Sequence, residues 1–170
     1  QSNWSKFGSR LENTSIEEIL EAAEWLAKEK RGMLVVFERQ SQLETSTLVR
    51  LDTILNADIS KELLQTIFAT DTPLHDGACL VKDGKLVAAN CYINSLSEDY
   101  SIKQSFGTRH RAALGLCEAS DAVALIVSEE TGAISLAYDS KLNYDLKITE
   151  ITKILESILK VTEEVKKEEN

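Results

Sequence analysis

Asp83-Gly84 stands between two apolar runs, Ala78–Val81 and Lys85–Ile93. An Asp-Gly pair flanked this way favours a tight turn with positive φ angles, so the two runs are predicted to fold back on each other as a β-hairpin. A lone hairpin is marginal in water and must be extended by further strands or covered by helices. The chain supplies both.

Ser15 and Glu18 have the spacing of a capping box, and Ile16, Ile19, Leu20, Ala23, Leu26 and Ala27 follow at helical spacing until Gly32. Met33–Phe37 is a short apolar run of strand type, and the polar residues 38–47 read as a loop. Ser60 is placed to cap a helix over Lys61–Phe68. The only proline, Pro73, then forces a turn ahead of the hairpin. After a polar loop over 94–105, Thr108 can cap a helix running to about Glu118, with Ala112, Ala113 and Leu116 inward. Val123–Val127 and Ala133–Tyr138 are two more strands, and a last helix from about Thr149 carries Ile151, Ile154, Leu155, Ile158 and Val165. Hairpins interleaved with helices predict an α/β (α+β) fold: one globular domain with a mixed central β-sheet flanked by helices.

A chain of 170 residues, 43% of them hydrophobic, has enough apolar side chains for one core. Its 28 acidic against 19 basic residues leave a formal net charge of −9, which opposes nucleic acid as a partner and means that a polyanionic ligand needs a local concentration of positive charge. Cys79, Cys91 and Cys117 are odd in number and lack a paired spacing, which argues against a disulfide framework or zinc site and for a reducing, cytoplasmic setting. No run approaches the roughly 20 apolar residues of a membrane span. Gln1-Ser2-Asn3 reads as an expression-tag remnant, so a natural N-terminal segment, a membrane anchor among the options, is expected to precede residue 7 in the parent protein. Residues 161–170 read as a charged tail.

Both histidines sit in chemically dense clusters. In Thr72-Pro73-Leu74-His75-Asp76-Gly77-Ala78, an imidazole and a carboxylate meet at a turn where both can face one side of the emerging strand. Such a pair can hold Mn²⁺, or Mg²⁺ through the carboxylate, with ligand phosphates completing the shell. The same residues also fit a plain Asx-type turn ahead of Gly77. In Gly107-Thr108-Arg109-His110-Arg111-Ala112-Ala113, two guanidinium groups, the unpaired N–H groups of a first helical turn and the positive end of its dipole are expected to converge. Charge-assisted bonds from Arg109 and Arg111 to phosphate, at roughly 1.5–3 kcal/mol each, outweigh a dipole term of about 0.3–1 kcal/mol. A capped helix whose arginines pair with surface carboxylates is the alternative. Ser128-Glu129-Glu130 ends an apolar strand, where Glu129 or Glu130 can assist a metal or simply face water, and Tyr92 can stack on a base or pack in the protein. The Walker and dinucleotide glycine patterns are missing from the sequence.

Leu74-His75-Asp76-Gly77-Ala78, then Gly107-Thr108-Arg109-His110-Arg111-Ala112-Ala113, then Ser128-Glu129-Glu130-Thr131-Gly132 resembles, in this order and separation, the diadenylate cyclase family of bacterial enzymes that make cyclic di-AMP from two ATP. The resemblance spans nearly the whole chain and implies a catalytic domain over 7–160. The start at Phe7-Gly8-Ser9-Arg10 is most similar to the membrane-anchored branch, which implies a cytoplasmic catalytic domain in a protein anchored in the bacterial cell membrane. The resemblance implies catalytic roles for Asp76, Arg109 and His110, and metal ligation by His75 and Asp76. It implies substrate contacts from Gly77, Ala78, Tyr92, Ile93, Gly107, Thr108, Arg109, His110, Ser128 and Glu129. At Ile93-Asn94-Ser95-Leu96 the chain departs from the family, whose members commonly show a Leu-Pro step there.

Attack of a 3′-hydroxyl on an α-phosphate with loss of pyrophosphate is mostly positioning and charge stabilisation. Two arginines and a helix end cannot neutralise about four phosphate charges, so a divalent metal, Mn or Mg, is expected as cofactor. Each ATP is both nucleophile and electrophile, so two domains must face each other across a two-fold axis, and a homodimer is expected. A regulatory protein partner is left open. Two rival readings are a non-catalytic nucleotide-sensing module, and a metal-dependent phosphoesterase that would release phosphate or AMP.

Overall fold

The computed structural model describes residues 11–159. Phe7-Gly8-Ser9-Arg10, the tag-like residues 1–3, Val165 and the charged tail lie outside the described residues. In chain order the elements are α1 (Asn13–Lys28), β1 (Met33–Phe37), β2 (Val49–Arg50), β3 (Thr53–Ala57), α2 (Lys61–Ile67), β4 (Ala78–Lys82), β5 (Lys85–Ile93), α3 (Tyr100–Ser105), α4 (Thr108–Ala119), β6 (Val123–Val127), β7 (Ile134–Tyr138), β8 (Lys141–Asn143) and α5 (Ile148–Leu159).

The strands form one mixed sheet in the order β2-β5-β4-β1-β6-β7-β8, with β3 continuing the β2 edge against β5. Among the described residues only β1 and β4 pair in parallel, Val35 opposite Cys79; β1 pairs antiparallel with β6, Met33 opposite Val127. β1 is buried on both faces, and the period-two alternation of a strand divides its residues between two cores. Met33, Val35 and Phe37 join Ile16, Ile19, Leu26, Leu64, Ile151 and Leu155 under α1, α2 and α5. Leu34 and Val36 join Ala112, Ala113, Leu116 and Cys117 under α4. The expected mixed sheet flanked by helices is therefore present as three layers.

The hairpin forms at Asp83-Gly84, with φ of 53° and 77°. Ser60 Oγ accepts from Leu63 N at 3.1 Å as the expected cap of α2. The capping box at Ser15 does not form. Helix α1 begins two residues earlier at Asn13 without a side-chain cap, and Glu18 is used elsewhere: its Oε1 accepts from Lys61 N, 2.6 Å away, in the first turn of α2. An open helix N–H next to a carboxylate is a charge-assisted bond, and it ties α1 to α2. Thr108 is likewise not a cap but the first residue of α4, whose N-cap is Gly107 with no side-chain acceptor. Strands β2, β3 and β8 and the short helix α3 have no counterpart in the sequence reading.

The topology sets up the site. With β4 parallel and β5 and β6 antiparallel to their neighbours, the starts of β1 and β4 and the ends of β5 and β6 share one edge of the sheet. The clusters at His75, Tyr92 and Ser128 are attached to three of those strand ends.

Candidate active site

A cleft of about 660 Å³ opens at that edge. Its walls include His75, Asp76, Gly77, Tyr92, Ile93, Gly107, Thr108, Arg109, His110, Ser128 and Glu129, together with Leu96, Phe106, Glu130, Thr131 and Tyr144. Of the residues singled out in the sequence, Ala78 and Arg111 are not on its walls. Ala78 is the first residue of β4 and is buried beneath α4, so its side chain has no route to a ligand. Arg111 points the other way, its Nε donating to Ser97 O at 3.4 Å. Helix residues two apart lie about 200° around the axis, which prevents Arg109 and Arg111 from gripping the same ligand.

On one wall the turn before β4 is held tightly. Thr72 O lies 2.6 Å from His75 Nδ1, and because a carbonyl only accepts, Nδ1 carries the proton. In the neutral ring, Nε2 then presents its lone pair 3.3 Å from Asp76 Oδ1. Two electron-rich atoms facing each other at that distance fit a shared cation, and a carbonyl-oriented imidazole is a common metal ligand. Among the described residues no group of three or more His, Cys, Asp or Glu side chains is arranged to hold a metal, so His75 and Asp76 can offer at most part of a coordination shell. The Asp76 side chain is 82% exposed, free to meet a ligand or a second molecule. Its carbonyl accepts from Asn90 Nδ2 at 2.8 Å, and Gly77, at φ +80°, lies so close to Cys91 O that a Cβ would collide with it. Only glycine allows that turn to press onto β5.

The opposite wall is the start of α4. Its first-turn N–H groups have no side-chain cap and the helix dipole is positive there. Arg109 is 20% exposed and lies between Glu129, 3.5 Å from its Nη1, and Gly32 at the start of β1. A Cβ at Gly32 would sit 2.6 Å from Arg109 Cζ, so the absent side chain makes the bed for the guanidinium. His110 is buried against Phe106 (ring centroids 5.0 Å apart) and near Tyr144 (6.3 Å). Burial, and secondly the Arg109 charge, hold its pKa below the usual histidine value, so the ring is neutral near pH 7. Its Nε2 is buried with no hydrogen-bond partner among the described residues. Below it, Ser128 Oγ accepts from Glu130 N and Thr131 N, both at 3.2 Å, and shapes the turn that carries Glu129.

The stretch of sequence that builds both walls matches a family model. The family model described as DisA bacterial checkpoint controller nucleotide-binding (DAC) covers residues 20–142. The chain belongs to the diadenylate cyclase family. Family relatives include the cyclic di-AMP synthase CdaA of Bacillus subtilis, 39% identical over 92% of this chain and 58% of the relative. A diadenylate cyclase of Listeria monocytogenes is 38% identical over 89% of this chain and 56% of the relative. The chain thus spans little more than half the length of these relatives. Among solved structures, a double mutant of DacA from Staphylococcus aureus superposes with a TM-score of 0.79 at 38% identity, covering 86% of this chain and 95% of that one. A hypothetical membrane spanning protein from Bacillus cereus gives 0.74 at 39% identity, covering 85% and 69%. Among the described residues no helix is long and apolar enough to cross a membrane.

Several residues of the cleft and of its support carried no signal in the sequence. Gly32 read only as a helix stop, and Leu96, Phe106 and Tyr144 belong to segments read as loop or left unassigned. Their roles depend on contacts 13 to 77 residues away along the chain, such as Thr131 Oγ1 to Tyr144 OH at 3.0 Å and Gly32 to Arg109.

Proposed function

We propose that the domain condenses two ATP into cyclic di-AMP with release of two pyrophosphates. Each cleft takes one ATP, its phosphates over the open N–H groups of α4 beside Arg109 and its base beside Tyr92 and Ile93. Gly107 and Thr108 approach the phosphates through the backbone, with Ser128 and Glu129 closing the far side. The unpartnered Nε2 of His110 gains a phosphate or ribose oxygen, which removes the cost of about 1–3 kcal/mol of leaving it unsatisfied. Asp76 receives the 3′-hydroxyl of the ATP held by a second domain. The proton of that hydroxyl passes to the Asp76 carboxylate as its oxygen bonds to the α-phosphorus and the bond to pyrophosphate breaks, once on each side of a two-fold axis. Because each reacting pair is divided between two clefts, a face-to-face homodimer is the catalytic unit.

Among the described residues, the charged side chains on the cleft walls are Asp76, Glu129 and Glu130 against one cation, Arg109, so those walls are net negative where a polyanion is to bind. That balance, more than the loss of Arg111 from the cradle, calls for a divalent cation. His75 and Asp76 would hold it, with phosphate oxygens and water filling the shell. An Mn²⁺ or Mg²⁺ ion held there would supply Lewis-acid stabilisation of the phosphate charge. The domain is further proposed to work at the cytoplasmic face of a membrane-anchored protein, a reading supported by its likeness to the Bacillus cereus membrane spanning protein.

The observation that carries the proposal is the placement of an exposed carboxylate, Asp76, opposite the uncapped start of α4 and Arg109 in one open cleft. Incubation with ATP and Mn²⁺ or Mg²⁺ over a range of protein concentrations, with nucleotides separated chromatographically, tests it. Cyclic di-AMP and pyrophosphate are expected, with specific activity rising with protein concentration. Nucleotide binding without product identifies a sensing module instead, and release of phosphate or AMP identifies a phosphoesterase.

A further inference from the structure

Arg50 is not on the wall of the cleft, yet it touches a side chain that is. β2 pairs antiparallel with β5 so that Arg50 and Tyr92 stand directly opposite each other. Side chains at such a cross-strand pair emerge on the same face, close enough to interact. The Arg50 guanidinium lies 4.9 Å from the centroid of the Tyr92 ring. It does not reach there as a free chain. Asp52, two residues on, grips it through two parallel bonds, Nε to Oδ1 at 2.8 Å and Nη2 to Oδ2 at 3.1 Å. A fork held on both prongs has fewer rotamers open to it before any ligand arrives.

Tyr92 itself is 51% exposed and forms part of the cleft wall. An exposed tyrosine on a strand end would sample several rotamers, and a ligand stacking on it would have to select one. With one face of the half-exposed ring against Arg50, the opposite face can accept a stacked base. We propose that the Asp52–Arg50 pair is a positioning unit for Tyr92, fixing its ring as a platform for the nucleobase. The unit acts on the base and not on the phosphates. This rests on the ATP reading above only in taking the ligand to carry a base.

Two substitutions separate positioning from simple electrostatics because they change the charge in opposite directions. Arg50→Met removes a positive charge and Asp52→Asn a negative one. Acting on a polyanion at a distance, the first would weaken binding and the second would strengthen it. Acting through Tyr92, both weaken it. The exposed cation–π range corresponds to an affinity loss of about two- to fivefold for Arg50→Met, with a smaller loss for Asp52→Asn. Arg50→Lys, which keeps the cation but not the fork, falls between wild type and Arg50→Met.

The test is the equilibrium affinity of the full chain for a non-reacting ATP analogue and for inorganic tripolyphosphate, with Mg²⁺ present, in wild type and the three variants. Losses for the analogue in both Arg50→Met and Asp52→Asn, with tripolyphosphate affinity unchanged, are expected. Opposite signs for the two variants, equal losses for both ligands, or no change would overturn the positioning role. Wild-type protein that binds the analogue but forms no cyclic product would refute the cyclase reading while leaving this comparison intact. Wild-type protein that binds neither ligand would refute both.

Discussion

The guanidinium of Arg109 rests where the side chain of Gly32 would be, with Cζ only 2.6 Å from the point that a Cβ on that glycine would occupy. Gly32 precedes the central strand β1 and Arg109 lies in the first turn of α4, so the contact joins the core of the fold to the α4 wall of the cleft. Gly32 does not have a positive φ, so alanine is acceptable to the backbone and the strain falls on the arginine. Gly32→Ala is expected to leave the melting temperature nearly unchanged while weakening ATP binding by about three- to tenfold. Arg109→Ala, which removes the charged donor outright, should cost about 10- to 100-fold. Calorimetric titration with a non-reacting ATP analogue checks both, and unaltered affinity in Gly32→Ala would mean that the arginine does not act from its observed position.

Asp76 is exposed, and among the described residues its carboxylate makes no side-chain contact other than that with His75. Its backbone, in contrast, is bound to Asn90. Asp76→Asn should therefore fold normally and bind ATP within about threefold of wild type, while cyclic di-AMP formation falls by at least about 100-fold. Parallel measurements of binding and product formation check this, and a variant with near-normal turnover would remove Asp76 from the mechanism.

His110 titrates below an ordinary histidine because burial disfavours its charged form. From about pH 6.5 downward the unfolded chain takes up a proton at this residue that the folded chain refuses, until the lower folded-state pKa is passed. Stability therefore falls as the pH drops through that window and is insensitive to His110 above it. Urea midpoints between pH 5 and 8 should slope less in His110→Phe than in wild type. Because Nε2 has no partner to lose, that variant should be at least as stable as wild type at pH 7. Equal slopes would show that His110 is not the group responsible.

Cys79, Cys91 and Cys117 are free and buried, and burial pushes each thiol upward, Cys91 and Cys117 to about 12. At pH 8 a thiol of that pKa is about one part in 10⁴ thiolate, the reactive form. All three should resist maleimide in the folded protein and label fully in guanidinium chloride, counted by mass spectrometry. Rapid native labelling of Cys91, which lies on the cleft wall, would show that the cleft opens further than the structure describes.

The elements legible in the sequence are those whose cause is local. The Asp83-Gly84 turn, the Ser60 cap and the apolar runs of β1, β4, β6 and β7 follow from neighbours a few residues apart, and the helices α1, α2, α4 and α5 follow from apolar spacing. Strands β2 and β3 escaped because they edge the sheet: β3 alternates between exposed and half-buried and gains its identity from β5, not from its own composition. Ser15 and Glu18 had the letters of a capping box, but a better partner for the carboxylate lay on another helix.

The same division holds for the cleft. The sequence by itself determined which side chains have the chemistry: a histidine beside an aspartate at a glycine turn, and an arginine and a histidine in a first helical turn, in an order shared with diadenylate cyclases. Only the tertiary structure decided which of them meet. Helical geometry turned Arg111 away while keeping Arg109, pleating sent Ala78 into the core, and strand order brought the ends of four strands to one edge of the sheet. Gly32, Phe106 and Tyr144 entered the site through that convergence. Residue type is written along the chain, but proximity depends on strand pairing and packing between segments far apart in it, and no local pattern encodes those distances.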